Sequence, residues 1–144
     1  MRPLLALLLL FSLSTTTNAQ TVVRITNLTI TEKEVATPGP ELSSQLKGAE
    51  GSERVVLFSD GPFSIRTWFK VSTHKSPRSS TKDSAVNLIM ELDLLENGKK
   101  KDNRRVEKIF YMDQARTTTY NEKFVIKKGI DVRVIHVKFD ATIE

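Results

Sequence analysis

The stretch Ser84-Ala85-Val86-Asn87-Leu88-Ile89-Met90-Glu91-Leu92-Asp93-Leu94-Leu95-Glu96 decides the fold, because it admits two readings. Alanine, leucine, methionine and glutamate are helix formers, Asp83 or Ser84 offers an N-cap, and Gly98 offers a stop. Against a helix, Val86, Leu88, Met90, Leu92 and Leu94 fall on every second position. That is the period of a strand with one buried face. Asn97-Gly98 follows at once, and Asn-Gly suits a two-residue hairpin turn whose central residues both need positive φ. We therefore read a strand over 84–96. Its partner starts in the basic stretch after Gly98 and runs through Val106 to Met112.

The same period extends upstream. Phe63, Ile65, Thr67, Phe69 and Val71 alternate with Ser64, Arg66, Trp68, Lys70 and Ser72, which predicts a half-buried strand with its phenylalanines inward. Asp60-Gly61-Pro62 is a turn signal after the short apolar run Val55 to Phe58. Val22 to Ile30 reads as the first strand. Between them, Thr37 to Arg54 holds Pro38, Gly39, Pro40, Gly48 and Gly51 and reads as a loop, with room for one helical turn over Glu41 to Leu46. His74 to Ser84 reads as a polar loop.

Downstream, Thr117 to Ile126 is a strand with Tyr120, Glu122, Phe124 and Ile126 on one face. Lys127-Lys128-Gly129 fits a three-residue hairpin loop with glycine in the left-handed position. The last strand changes phase. Ile130, Val132 and Val134 give way to Ile135, Val137 and Phe139. A one-residue slip exposes half of its apolar groups, so we expect a bulge near Val134–Ile135, or a strand that passes between sheets.

About a quarter of the residues after Ala19 are Val, Ile or Thr, the types that suit a pleated surface. The expectation is an all-β, antiparallel two-sheet β-sandwich of about seven strands, with a small closed β-barrel as the alternative.

The chain has 144 residues and no cysteine. That excludes a disulfide-stapled miniprotein, a cysteine-ligated zinc or iron–sulfur site and a thiol enzyme. Met1 and Arg2 precede a run of about ten apolar residues, half of what a spanning helix needs. Thr17-Asn18-Ala19 resembles a small-residue cleavage site. Residues 1–19 are read as a signal peptide and 20–144 as one domain, exported to the periplasm or beyond the cell, with a mature form that does not span the membrane. Asn27-Leu28-Thr29 matches the glycosylation pattern, which matters only in a eukaryotic secretory route.

Charge is mildly basic, 22 Lys+Arg to 17 Asp+Glu, and uneven. Lys99, Lys100, Lys101, Arg104 and Arg105 lie within seven residues, and His74 to Lys82 adds Lys75 and Arg78. Such clusters attract anionic partners, or simply keep a loop solvated. No nucleic-acid recognition motif accompanies them, and export argues against nucleic-acid contact.

Catalytic chemistry is sparse. His74 and His136 are the two histidines, and His136 falls on the polar face of its strand. No G-x-S-x-G elbow, Gly-rich phosphate loop, H-E-x-x-H or calcium-loop pattern occurs. Glu91 and Asp93 would share a strand face about 7 Å apart, a spacing also used in glycoside hydrolysis, but any alternating strand gives it. The plain reading is a solvated outer face, with cross-strand ion pairs to Lys70 or to the next strand.

Trp68, the only tryptophan, shares its face with Arg66 and Lys70. An indole flanked by cations stacks on sugars or anchors a protein, unless a loop covers it. The expected function is thus a small exported, non-catalytic binding module of the cell envelope or secretome. Arg66, Trp68, Lys70, Lys99, Lys100, Lys101, Arg104 and Arg105 are its candidate contacts. No cofactor or metal is expected, and the partner is a protein or an anionic envelope polymer. Two alternatives stand beside it. One is a carrier of an apolar ligand in a cavity lined by Met90, Leu92, Phe110 and Phe124. The other is a glycan-binding or glycan-active protein. Exposed strand edges also allow a dimer.

Overall fold

The computed structural model describes residues 21–48, 51–75, 84–111 and 115–144. The reading of 1–19 as a leader lies outside them, as do residues 76–83. Nine strands occur among the described residues: β1 (Val22–Glu32), β2 (Val35–Pro38), β3 (Leu42–Gln45), β4 (Val55–Asp60), β5 (Phe63–Lys75), β6 (Ser84–Glu96), β7 (Lys99–Phe110), β8 (Thr117–Lys128) and β9 (Asp131–Ile143).

They form two antiparallel sheets. One has the order β2-β1-β9-β8, with β3 also on β1, and the other the order β4-β5-β6-β7. The sheets face each other as a β-sandwich and do not close into a barrel. The first and last strands are neighbours, tied by Val22 N–H to the Glu144 carbonyl at 3.1 Å and Glu144 N–H to the Val22 carbonyl at 2.8 Å.

The 84–96 segment is a strand, and its alternation is what places it. Val86, Leu88, Met90, Leu92 and Leu94 are buried, and β6 pairs along its length with β5. The turn residues Asn97 (φ 52°) and Gly98 (φ 76°) both take the left-handed conformation, as a type I′ hairpin requires. Phe69, Phe124 and Phe139 fill the middle of the core with no exposure. Burying such a ring contributes roughly 1.5–3 kcal/mol relative to leaving it in water.

Several expectations need correction. First, the strands number nine rather than about seven, because the segment read as a loop over 37–54 carries β3 and the end of β2. No helical turn forms at Glu41 to Leu46. Leu42–Gln45 pairs with Val22–Ile25, and Leu46 bridges Ser52. The turn between β1 and β2 is Lys33-Glu34, at φ 50° and 64°, so it lacks the glycine or asparagine that would announce it. Pro38 is tolerated because β2 is an edge strand.

Second, β9 has no bulge at Val134–Ile135. Its register with β8 runs unbroken from Lys128↔Asp131 to Thr117↔Thr142. Ile135, Val137, Phe139, Ala141 and Ile143 point into the core, while Ile130 and Val132 stay exposed. The irregularity is in β1, where Thr26 pairs with Asp140 and Thr29 with Lys138, leaving one extra residue. Asn27 absorbs it at φ 52° and donates from Nδ2 to Asp140 Oδ2 at 2.8 Å. The extra residue moves the inward face of β1 from Val23 and Ile25 to Leu28.

Third, the β8–β9 connection is a two-residue turn, Gly129-Ile130, not a three-residue loop. Gly129 (φ 63°) sits at the first central position, as a type II′ turn prefers. Strand β5 also reaches Lys75, so His74 belongs to a strand and pairs with Ala85.

Candidate functional site

The outer face of β5, β6 and β7 brings several sequence candidates together. Arg66 lies across from Asp93, Trp68 from Glu91 and Lys70 from Ile89. On the far side of β6, Glu91 faces Arg105 and Asp93 faces Asn103. The Lys70 ammonium stands 5.3 Å from the Trp68 ring centroid. The segment before β4 closes on the same indole. Ser52 N–H donates to the Phe69 carbonyl at 2.7 Å, and Phe69 N–H donates to Ser52 Oγ at 2.8 Å. Gly51, at φ 96°, then lies so near that a Cβ would meet Trp68 Cζ3 at 2.9 Å. Trp68 is therefore half-buried and holds this segment as much as it presents a platform.

Asp93 departs from the expected solvated face. Its side chain has no exposure, although it points away from the core. Lys100 Nζ lies 2.9 Å from Oδ1, and Asn103 Nδ2 donates to the same oxygen at 2.8 Å. Arg66 Nε stands 3.7 Å from Oδ2, too far for a hydrogen bond, and neither atom has another partner. Burial pushes this carboxyl up. The hydrogen bonds from Lys100 and Asn103, with the charges of Lys100 and Arg66, outweigh burial and hold it below the usual carboxylate range. Glu91 is engaged too, by Arg105 Nη1 at 3.3 Å. Both carboxylates are thus held by cross-strand neighbours.

The basic hairpin is divided rather than continuous. Lys100 turns to Asp93, and Lys101 pairs with Glu96 at 3.2 Å. Arg105 faces outward to Glu91, but Arg104 faces the seam between the sheets. Its guanidinium lies 5.2 Å from the Phe124 ring, 2.6 Å from Asp102 Oδ1 and 3.3 Å from the Lys123 carbonyl. Lys99 has no ion pair among the described residues. His136 is exposed, as expected. Met90, Leu92, Phe110 and Phe124 pack in the core cluster, so as candidate cavity residues they line packed interior.

A second constellation was not anticipated. The four tight turns Lys33-Glu34, Gly61-Pro62, Asn97-Gly98 and Gly129-Ile130 gather at one end of the sandwich. Phe63 pairs with Glu96, and Asn97 N–H donates to the Pro62 carbonyl at 2.7 Å, which joins two turns. Arg133 joins the others across the sheets. It donates to Glu32 Oε1 at 2.6 Å and Oε2 at 3.0 Å, and to Asp60 Oδ2 at 2.7 Å. Its guanidinium lies 5.9 Å from the Phe58 ring and 6.0 Å from that of Phe63. The bond to Glu32 raises the Arg133 pKa and lowers that of Glu32. Beside this bridge, an open cleft of about 800 Å³ runs between the edges of β2 and β4, lined by Ile30, Val35, Pro38, Leu57 and Phe58.

Four of the seven exposed large hydrophobic side chains among the described residues stand at this end: Val35 (66 % exposed), Val125 (41 %), Ile130 (99 %) and Val132 (57 %). Lys33, Lys99, Lys127 and Lys128 have no ion pair among the described residues and surround them. The phase change in β9 was the signal for Ile130 and Val132. Nothing local to the sequence marked Arg133, whose partners are 101 and 73 residues away. Compared with known proteins, the chain matches no family model, no curated protein and no solved structure.

Proposed function

We propose that this protein is an exported, non-catalytic binding module of the cell envelope or secretome, and that its contact surface is the turn-bearing end of the sandwich. One observation supports the reading. The end carries exposed aliphatic side chains next to lysines that form no ion pair among the described residues, on turns that the Arg133 bridge ties into one body. Exposed apolar groups rimmed by charge are the composition of a contact surface. The cations of the β5–β7 face, by contrast, are largely spent on Asp93, Glu91 and Glu96. Lys99 has no ion pair among the described residues and belongs to the turn end.

The test is site-specific photocrosslinking in the native cells. A crosslinker at Lys99 is expected to give a discrete adduct that one at His136, on the outer face of the other sheet, does not. Equal labelling from both positions, or none, would overturn the assignment.

A further inference from the structure

We infer that the turn end docks on an anionic lipid surface, with the β8–β9 hairpin as its leading element. The inference rests on the binding reading above and names the partner of that site. Hairpin turns favour Gly, Asn and Asp, yet this one places Ile130 at its second central position, 99 % exposed. Behind it, Val132 pairs with Lys127 and Val125 with Val134, so these side chains share the outward face and extend the apolar tip. Lys127 and Lys128 follow immediately, with no acid in ion-pair range among the described residues. Across from Lys128 stands Asp131, the one acid of the tip.

An aliphatic point with ammonium groups one turn behind matches a lipid interface. The point enters the acyl boundary, and the lysine stems let their charges stay among the headgroups. Lys99, on a neighbouring turn, adds a cation at this end and favours an anionic leaflet over a neutral one, whereas the charge of Lys33 acts on Glu32 and shares its turn with Glu34. The tip is held rigidly. Strands β8 and β9 pair over twelve residues each, and Arg133 anchors the hairpin to β1 and β4.

The test is co-sedimentation of the purified chain from Gln20 onward, which carries every described strand, with vesicles of phosphatidylcholine alone or mixed with phosphatidylglycerol. The expected result is binding about tenfold tighter to the anionic vesicles, weakened by salt. Ile130→Ser should lose most of that binding, and Lys127→Glu with Lys128→Glu should abolish the preference for phosphatidylglycerol. Ile130 contacts no core, so the Ile130→Ser protein should melt as the wild type does. Wild-type protein that ignores anionic vesicles would overturn the inference, as would full binding by Ile130→Ser. A dimer that Ile130→Ser dissolves would also overturn it, by giving the apolar tip to a second copy. A discrete protein adduct at Lys99 together with no lipid binding would leave the binding module standing and remove the membrane.

Discussion

Lys100 Nζ lies 2.9 Å from Asp93 Oδ1, and an irregularity in β7 puts it there. Leu94 pairs with Asp102 and Leu95 with Lys100, so Lys101 is an extra residue. Without that bulge the lysines would alternate in step with β6. With it, Lys100 covers a carboxylate that no water reaches.

This contact separates two lysines that look equivalent in the chain. Lys100→Glu sets a second negative charge against buried Asp93 and should cost about 2–3 kcal/mol, less than a fully buried pair because Lys100 is half exposed. Lys99→Glu should cost under about 0.5 kcal/mol. Urea denaturation measures both. Equal losses would show that Lys100 does nothing for Asp93.

Acid stability follows from the direction of the carboxyl shifts. Asp93, Glu32 and Asp140 are all held below their ordinary values. For Asp93, burial acts the other way but loses to Lys100 and Asn103. For Glu32 and Asp140, the leading cause is a hydrogen bond, from Arg133 and from Asn27. Lowered groups contribute stability above their unfolded pKa, and that contribution is lost as pH falls through the folded pKa. The loss should therefore begin near pH 4 and deepen below it. Asp93→Asn should flatten the fall of the urea midpoint with acid. An unchanged slope would remove Asp93 from the effect.

Gly51 and Gly48 both take positive φ, but only one of them is crowded. Gly51→Ala would push Cβ to 2.9 Å from the Phe69 carbonyl oxygen as well as the indole. It should cost about 2–3 kcal/mol, combining left-handed strain with displaced packing. Gly48→Ala meets nothing within 4 Å and should cost only the strain, about 1–2 kcal/mol. Thermal melts give the stabilities. Tryptophan emission should shift to the red in Gly51→Ala alone, because Trp68 is the sole indole. A shift of the same size in Gly48→Ala would show that Gly51 does not set the indole's surroundings.

Export is testable at the N-terminus. Material recovered outside the cytoplasm should begin at Gln20, as Edman sequencing or intact mass would report. A chain that still starts at Met1 there would refute the cleavage.

Local chemistry determined much of this protein. Alternation sets which face of β5, β6 and β8 is buried, because side chains on a pleated strand project to opposite sides. Asn97-Gly98 sets the β6–β7 hairpin, because both residues accept positive φ. The split between Arg104 and Arg105 was legible in the same way, since neighbours on a strand cannot share a face. Reading them as one run of charge concealed it. Tertiary structure alone decided the rest. Strands β2 and β3 exist because β1 offers them unpaired backbone, not because Lys33-Glu34 or Pro38 favour a sheet. Asp93 is buried by Lys100 and Arg66, which arrive from the strands on either side. Arg133 meets Glu32 and Asp60 only once two sheets face each other. Such contacts depend on distances between residues far apart in the chain, and no local period or turn signal encodes those distances.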